Sequence, residues 1–240
     1  MYYDLHIHSA LSPCSDDTMT IHNIFNMAYI KGLDLIAITD HNSLKQQYYL
    51  EKVIQSPILE GKINFIHGVE LQSIENIHML AYFQRGTDLK PIQQWIEQHL
   101  IKQENDRQYY GHQYIFDVND EIEDEEQYLL LNSLRLNIYE IVEAIHRFQG
   151  IIILAHVLAQ KYGIYEIYHG IPEDLDYDGI EVTCLKEYHD LKKLCPNVKD
   201  EYVFINSDAH QLEDIQEPIY TIDEDKLKRL WSQRICKKSL

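Results

Sequence analysis

Apolar positions along the chain follow two alternating rhythms. Short, nearly continuous apolar runs, at 33–39 and 151–155, read as buried strands of a parallel sheet. Between such runs, apolar residues recur every three or four positions. Ile21, Ile24, Phe25 and Ala28 form one such stripe, and Ile138, Ile141, Val142 and Ile145 another, each reading as a helix with one buried face. Thr20 and Gly32 bracket the first helix as caps. Asn137 with Glu140 starts the second in the manner of a capping box, and Gly150 closes it. The same reading gives strands over 1–8, 62–68, 77–83, 179–183 and 202–206, and helices over 43–55, 90–103, 187–194 and 224–234.

The segment 105–131 breaks the rhythm. It is Tyr-rich and then acidic, with Asp117, Asp120, Glu121, Glu123, Asp124, Glu125 and Glu126 close together. A charge run is usually a solvated face. The segment reads as an insertion, a hairpin that packs on the body through its Tyr and Leu residues. The rest, about seven strand–helix units, predicts one domain over 1–240, a distorted (βα)7 TIM-like barrel of α/β class with a small acidic insertion.

In such a barrel the chemistry gathers at the C-terminal ends of the strands. His6 and His8 lie two apart on the first strand and so share a face, with Leu5 and Ile7 on the other. His41, Glu70, His156, Asp208 and His210 also fall at or just past strand ends. His78 is the exception, near the start of its strand. Six of the 13 His belong to this set. His22, His99, His146 and His189 sit on predicted helices, and His112 and His169 in loops, as surface or packing residues. His67, one residue before Gly68, is a lesser candidate. Glu181 ends a strand and reads equally as a backbone cap. Cys14, near the set in sequence, reads as a buried thiol ahead of a thiolate ligand.

Asp-Leu-His-Ile-His (4–8), Ile-Thr-Asp-His-Asn (38–42), Gly-Val-Glu (68–70), Ala-His (155–156) and Ser-Asp-Ala-His (207–210) resemble, in order, the motifs of the polymerase and histidinol phosphatase (PHP) family. Five motifs in order over almost the whole chain are specific where any one is weak. The resemblance implies a cluster of two to three divalent metals, held by His6, His8, Asp16, His41, Glu70, His78, His156, Asp208 and His210. Asp16 follows from aligning Ser15-Asp16-Asp17-Thr18 with the family's Ser-Asp-Gly-Thr, and Asp17 competes with it. Val157 stands where relatives often carry Pro.

The resemblance also implies a phosphoesterase, with Glu70, His41 and Asp208 in the catalytic roles and Glu70 as bridging carboxylate. The expected reaction is attack by a metal-bridging hydroxide on a phosphomonoester or phosphodiester of nucleotide or short oligonucleotide type. Histidinol-phosphate or phosphotyrosine phosphatase is an alternative, as is a non-catalytic, metal-stabilised binding module. Mixed imidazole and carboxylate donors suit Zn, Fe or Mn. Three ions against three carboxylates leave the site net positive, which suits phosphate even in a chain of net charge -18. That charge disfavours long nucleic acid bound through a basic surface. Asp40 and Asp4 read as groups that orient a His or a loop, Asp4 equally as a strand-edge solvent contact. Lys45, Arg85, Lys161 and Lys186 follow strands and are candidates to grip phosphate, each more simply read as a solvated surface cation. The partner expected is a small phosphorylated molecule, with the oligomeric state open. No apolar run suits a membrane span and no signal peptide is read, so a cytoplasmic protein with four reduced cysteines (Cys14, Cys184, Cys195, Cys236) is expected.

Overall fold

The computed structural model describes residues 1–237, with side chains through residue 232, so the Cys236 thiol lies outside the described atoms. Strand β1 (Tyr3–Ile7) leads to helix α1 (Ile21–Lys31), then to β2 (Leu35–Ile38) and, through a 3-10 turn, to α2 (Leu50–Ile54). Strands β3 (Asn64–Phe65), β4 (His67–Gln72) and β5 (His78–Phe83) follow. Helices α3 (Lys90–His99) and α4 (Arg107–Tyr110) precede a hairpin of β6 (Tyr114–Phe116) and β7 (Ile122–Glu125). The chain continues with α5 (Ile138–Arg147), β8 (Ile151–Leu154), α6 (Ile164–Tyr168), β9 (Gly179–Val182), α7 (Leu185–Leu194), β10 (Val203–Ile205) and α8 (Glu224–Lys237). Thr20 caps α1 through Asn23 N–H, Gly32 ends it in the left-handed region (φ 86°), and the Asn137–Glu140 capping box is formed.

The strands form a mixed α/β fold in which the ladders do not close into one barrel. One sheet has the order β1-β2-β3, a second β10-β9-β8-β5-β4, and the acidic hairpin β6-β7 stands as a third. Single bridges, Ile7 to Ala209 and His41 to Glu70, link the two main sheets at both sides. Two local events break the expected (βα)7 pattern. At Ile66 the chain leaves one sheet for the other: Leu35 and Ile36 pair with Asn64 and Phe65, while His67–Gln72 pairs with β5. Glu70 therefore lies within β4 rather than at a strand end. The connection from β4 to β5 spans only 73–77, too short for a helical crossover, so β5 runs antiparallel to both β4 and β8.

Alternation along the strands sorts the core. Leu35 and Ala37, Leu80 and Tyr82, and Ile151 and Ile153 point between the sheets with Tyr3, Leu5 and Phe204. Ile36 and Ile38 face outward with α1 and α2, while Met79, Ala81, Ile152 and Leu154 face outward against α3 and α5. Leu227, Leu230 and Trp231 of α8 pack into the inner cluster from the end where the parallel strands begin. The opposite end is left for polar residues. In β1 the register shifts between Asp4 and Ile7, and Leu5 and Ile7 fall in different clusters, contrary to the shared face expected of them. A bulge of this kind re-aims side chains locally.

Candidate metal centre

Polar residues gather at the rim where the parallel strands end. The reversal of β5 explains His78: the start of an antiparallel strand lies on the same rim as the ends of its parallel neighbours. Three groups of ring nitrogens and carboxylate oxygens lie within 4.8 Å of one another: His6, His8 and Glu70; His41, Glu70 and His78; His8, His41 and His210. Glu70 is the hub. Its Oε1 is 2.9 Å from His78 Nδ1 and 3.1 Å from His156 Nε2, and its Oε2 is 3.0 Å from His41 Nδ1 and 3.4 Å from His8 Nε2. Asp208 Oδ1 lies 3.3 Å from Nε2 of both His6 and His8. Eight of the nine sequence-predicted ligands thus come together. Asp16 does not: its exposed carboxylate accepts from Thr18 N–H at 2.8 Å and Thr18 Oγ1 at 2.7 Å.

The protons of the imidazoles are fixed from behind. Glu181, fully buried, accepts from His6 Nδ1 at 3.0–3.1 Å, from His156 N–H at 3.0 Å and from Asn206 Nδ2 at 2.6 Å. Ser12 Oγ donates to Asp40 at 2.8 Å and therefore accepts from His8 Nδ1 at 3.0 Å. His78 Nε2 donates to Gln72 Oε1 at 3.1 Å. His6 and His8 turn their Nε2 atoms to each other at 3.1 Å. An imidazole pair at that separation is held by a proton or a metal cation between the two nitrogens. His156 Nδ1 is buried with no hydrogen-bond partner, and the buried His41 Nδ1 faces Glu70 Oε2 at 3.0 Å. Imidazole nitrogens converging on two carboxylates make a donor set that suits transition-metal ions, so the residues fit the implied ions.

Burial opposes charge on Glu70, but His78, His6 and His41 outweigh it and hold the carboxyl well below its ordinary range. Burial also works against the charge on Asp208, and His6 and His8 again prevail. For His6, burial is outweighed by Glu181, Asp208 and Glu70, and its pKa rises well above the usual value. For His8, burial leads, reinforced by His210 and His41, and its pKa falls far below. Burial takes His78 down to about 4.

The loops that carry the cluster are held in unusual conformations. Asn42, His156 and Asp208 have positive φ (44°, 25° and 56°). Residues held in this sparsely populated region cluster at functional sites. Asp40 fixes the first loop, accepting from Ser9 N–H at 2.7 Å and Ser9 Oγ at 2.6 Å. Asp4, fully buried rather than at a solvent edge, fixes the last loop through Ser207 Oγ at 2.6 Å and Gln216 N–H at 2.9 Å.

A cleft of about 340 Å³ opens over the cluster, bordered also by Cys14, Leu131, Lys161, Tyr162, Thr183 and Glu187. Sequence reasoning missed Tyr162, whose ring stacks on His78 at 4.2 Å and whose carbonyl accepts from His78 N–H at 3.0 Å. No motif signals it. Of the candidate phosphate grips, Lys45 pairs with Glu126 and Glu97, Arg85 with Glu51, and Lys186 with Asp190. Lys161 borders the cleft. His67 stays apart, its Nδ1 3.2 Å from Gln47 Oε1. His146 is not free on its helix, since its Nε2 lies 3.0 Å from Asp178 Oδ2. A larger cavity of about 630 Å³ sits at the starts of β9 and β10, and none of the predicted ligands lines it.

No curated protein matches the chain. Among solved structures, it resembles a lesion-specific endonuclease from Pyrococcus furiosus at 22% identity and TM-score 0.60, covering 88% of this chain and 48% of that one. An endonuclease Q bound to a 27-mer duplex with an abasic lesion gives 18% identity and TM-score 0.58, over 96% of this chain and 56% of that one. A protein described as a metal-dependent phosphoesterase, from Bifidobacterium adolescentis, gives 14% identity and TM-score 0.61 over 96% of both chains. The chain thus spans about half the length of the two endonucleases, and these likenesses show a shared fold. The PHP domain family model matches residues 4–224. The chain therefore belongs to the PHP domain family.

Proposed function

We propose that the protein is a metal-dependent phosphoesterase whose substrate is a nucleotide or the end of a short oligonucleotide, as a monoester or a diester. The observation that carries this reading is the convergence of imidazole nitrogens on Glu70, with His6 and His8 Nε2 at 3.1 Å. Two to three divalent ions, of Zn, Fe or Mn type, would be held by His6, His8, His41, Glu70, His78, His156, Asp208 and His210. Asp16 joins them only if it turns away from Thr18. Bound there, such ions neutralise phosphate charge and make water a nucleophile at neutral pH.

The chain's own residues do the rest. Glu181 and Ser12 hold the Nδ1 protons of His6 and His8 away from the cleft, so their Nε2 atoms stay available. Glu70 meets two separate His groups through one carboxylate, which suits it to bridge, and Glu70, His41 and Asp208 are the side chains assigned to the reacting centre. Lys161 has no ion-pair partner among the described residues and stands at the cleft as the cation best placed to meet a phosphate oxygen. Two endonucleases of the same fold, one of them bound to lesion-bearing DNA, favour a nucleic-acid-type ester, while the net charge of -18 favours a short one.

The test is one screen of purified, metal-loaded protein against nucleoside monophosphates, short oligonucleotides, cyclic diesters, histidinol phosphate and phosphotyrosine. Release of phosphate or nucleotide from the first two classes is expected. Preferential turnover of histidinol phosphate or phosphotyrosine would overturn the substrate assignment. Bound metal with no hydrolysis of any ester would replace the enzyme by a metal-stabilised binding module.

A further inference from the structure

The connection after His156 is folded tightly back on itself. Ala159 N–H donates to the His156 carbonyl at 2.8 Å, and Tyr165 N–H donates to the Val157 carbonyl at 3.2 Å. Gly163 closes the loop at a point where a Cβ would lie 2.5 Å from the Ala159 carbonyl. Lys161 and Tyr162 are left exposed at the tip. Tyr162 takes a φ of 64°, a conformation that a bulky residue rarely adopts and that its surroundings must hold.

His78 holds it. The His78 N–H donates to the Tyr162 carbonyl at 3.0 Å, and the two rings stack with 5° between their planes and 4.2 Å between their centres. His78 Nδ1 in turn lies 2.9 Å from Glu70 Oε1, so one imidazole separates the phenol from the carboxylate on which the candidate ligands converge. This uses only one face of the phenol. Tyr162 stays 41% exposed, no second ring among the described residues packs on it, and it lines the cleft with Leu131 and Ala159. At about 340 Å³ the cleft has room for more than a phosphate, since small-molecule sites run from about 300 Å³ upward. An aromatic face fixed through its backbone offers a planar ring a surface to stack on at little ordering cost.

We propose that the free face of Tyr162 is the platform on which the base of the substrate stacks while its phosphate meets the metal centre. The inference rests on the phosphoesterase reading above and deepens it: the platform separates nucleotides from phosphate esters that carry no base. Every base has a π face, so a platform of this kind prefers a base to none and tolerates base identity. Loss of one such contact lowers affinity by about fivefold to 150-fold.

The probes are the phosphonate analogues of adenosine 5′-monophosphate and ribose 5-phosphate, in which methylene replaces the ester oxygen so that neither is turned over. They share sugar and phosphonate and differ in the base. Their dissociation constants are measured by calorimetry on metal-loaded wild type, Tyr162→Leu and Tyr162→Phe, with metal content per chain recorded for each. Wild type and Tyr162→Phe should bind the adenosine probe about 5–150-fold more tightly than the ribose probe. Tyr162→Leu should bind the two alike, with its metal content and its affinity for the ribose probe unchanged. Equal affinities in wild type, or a base preference that survives Tyr162→Leu, would overturn the platform alone. Equal weakening of both probes in Tyr162→Leu, with loss of metal, would also overturn it and leave Tyr162 as a prop for His78. Metal-loaded wild type that binds neither probe would overturn the nucleotide phosphoesterase reading with it.

Discussion

Glu181 shows how much of this centre is settled one atom behind the ligands. It takes the His6 Nδ1 proton and the His156 backbone N–H together, from full burial. Outer partners of this kind typically change metal affinity by about 10–100-fold. Glu181→Ala should weaken metal binding in that range, read by competition with a chelating dye, while His189→Ala, on the exposed face of α7, should leave it unchanged. Five of the six candidate His ligands were legible in the sequence because each sits inside a short motif; His78 sits in none. Glu181 was not, because a lone carboxylate at a strand end looks the same whether it caps backbone or holds an imidazole. Asp16 stands apart for the opposite reason: its motif is visible, but a Thr two residues on competes locally for the carboxylate. A residue outside the cluster gives a pH prediction. Burial, with Arg85 nearby against Glu51, takes His67 down to about 4, below its unfolded value. The unfolded chain then binds the proton first, so stability is present above about pH 6.5 and is lost as pH falls toward 4. The loss is at most about 3 kcal/mol. Denaturant melts of His67→Gln should show a shallower acid decline than wild type, and parallel curves would contradict the buried neutral imidazole.

The strand elements decide which residues can meet. Gly68 sits where β4 passes the end of β2, and a Cβ there would lie 2.6 Å from Thr39 Cγ2 and 3.1 Å from the Ile38 carbonyl. Overpacking of this order costs about 1–3 kcal/mol. Gly68→Ala should lower the melting temperature and, by pushing β4 outward, loosen Glu70 from His41; a variant with wild-type stability and metal content would show that the close approach is not needed. The reversal of β5 is the other element-level lesson. Apolar periodicity locates a strand but carries no direction, and only the five-residue connection 73–77 hinted that no crossover helix could fit. With direction unknown, His78 looked out of place; with β5 antiparallel, it falls on the ligand rim. The split of the 62–68 run into β3 and β4 was hidden likewise, since a change of sheet leaves no mark in the apolar pattern.

At the scale of the whole molecule, two sheets enclose an apolar interior sealed at one end by α8 and open at the other to the ligand cluster. The main helices and strands and the acidic hairpin were readable from periodicity and charge; the two-sheet arrangement was not, because it depends on pairings between distant segments. The candidate ligands come from both sheets, from β1 and the loop after β2 on one side and from β4, β5 and the loops after β8 and β10 on the other. An ion bound only by the folded state stabilises it by mass action, about 2.7 kcal/mol at a hundredfold excess over its dissociation constant. Chelation should therefore lower the melting temperature, and re-addition should restore it. The most direct test joins binding to chemistry: titration of metal-free protein with zinc or manganese, following metal content per chain and hydrolysis of a nitrophenyl phosphate ester in the same samples. Hydrolysis should rise with the first two to three equivalents and then stop, while Glu70→Gln should lose more than about a hundredfold in rate. Full hydrolysis before metal is added, or an undiminished rate in Glu70→Gln, would contradict a metal centre built on Glu70.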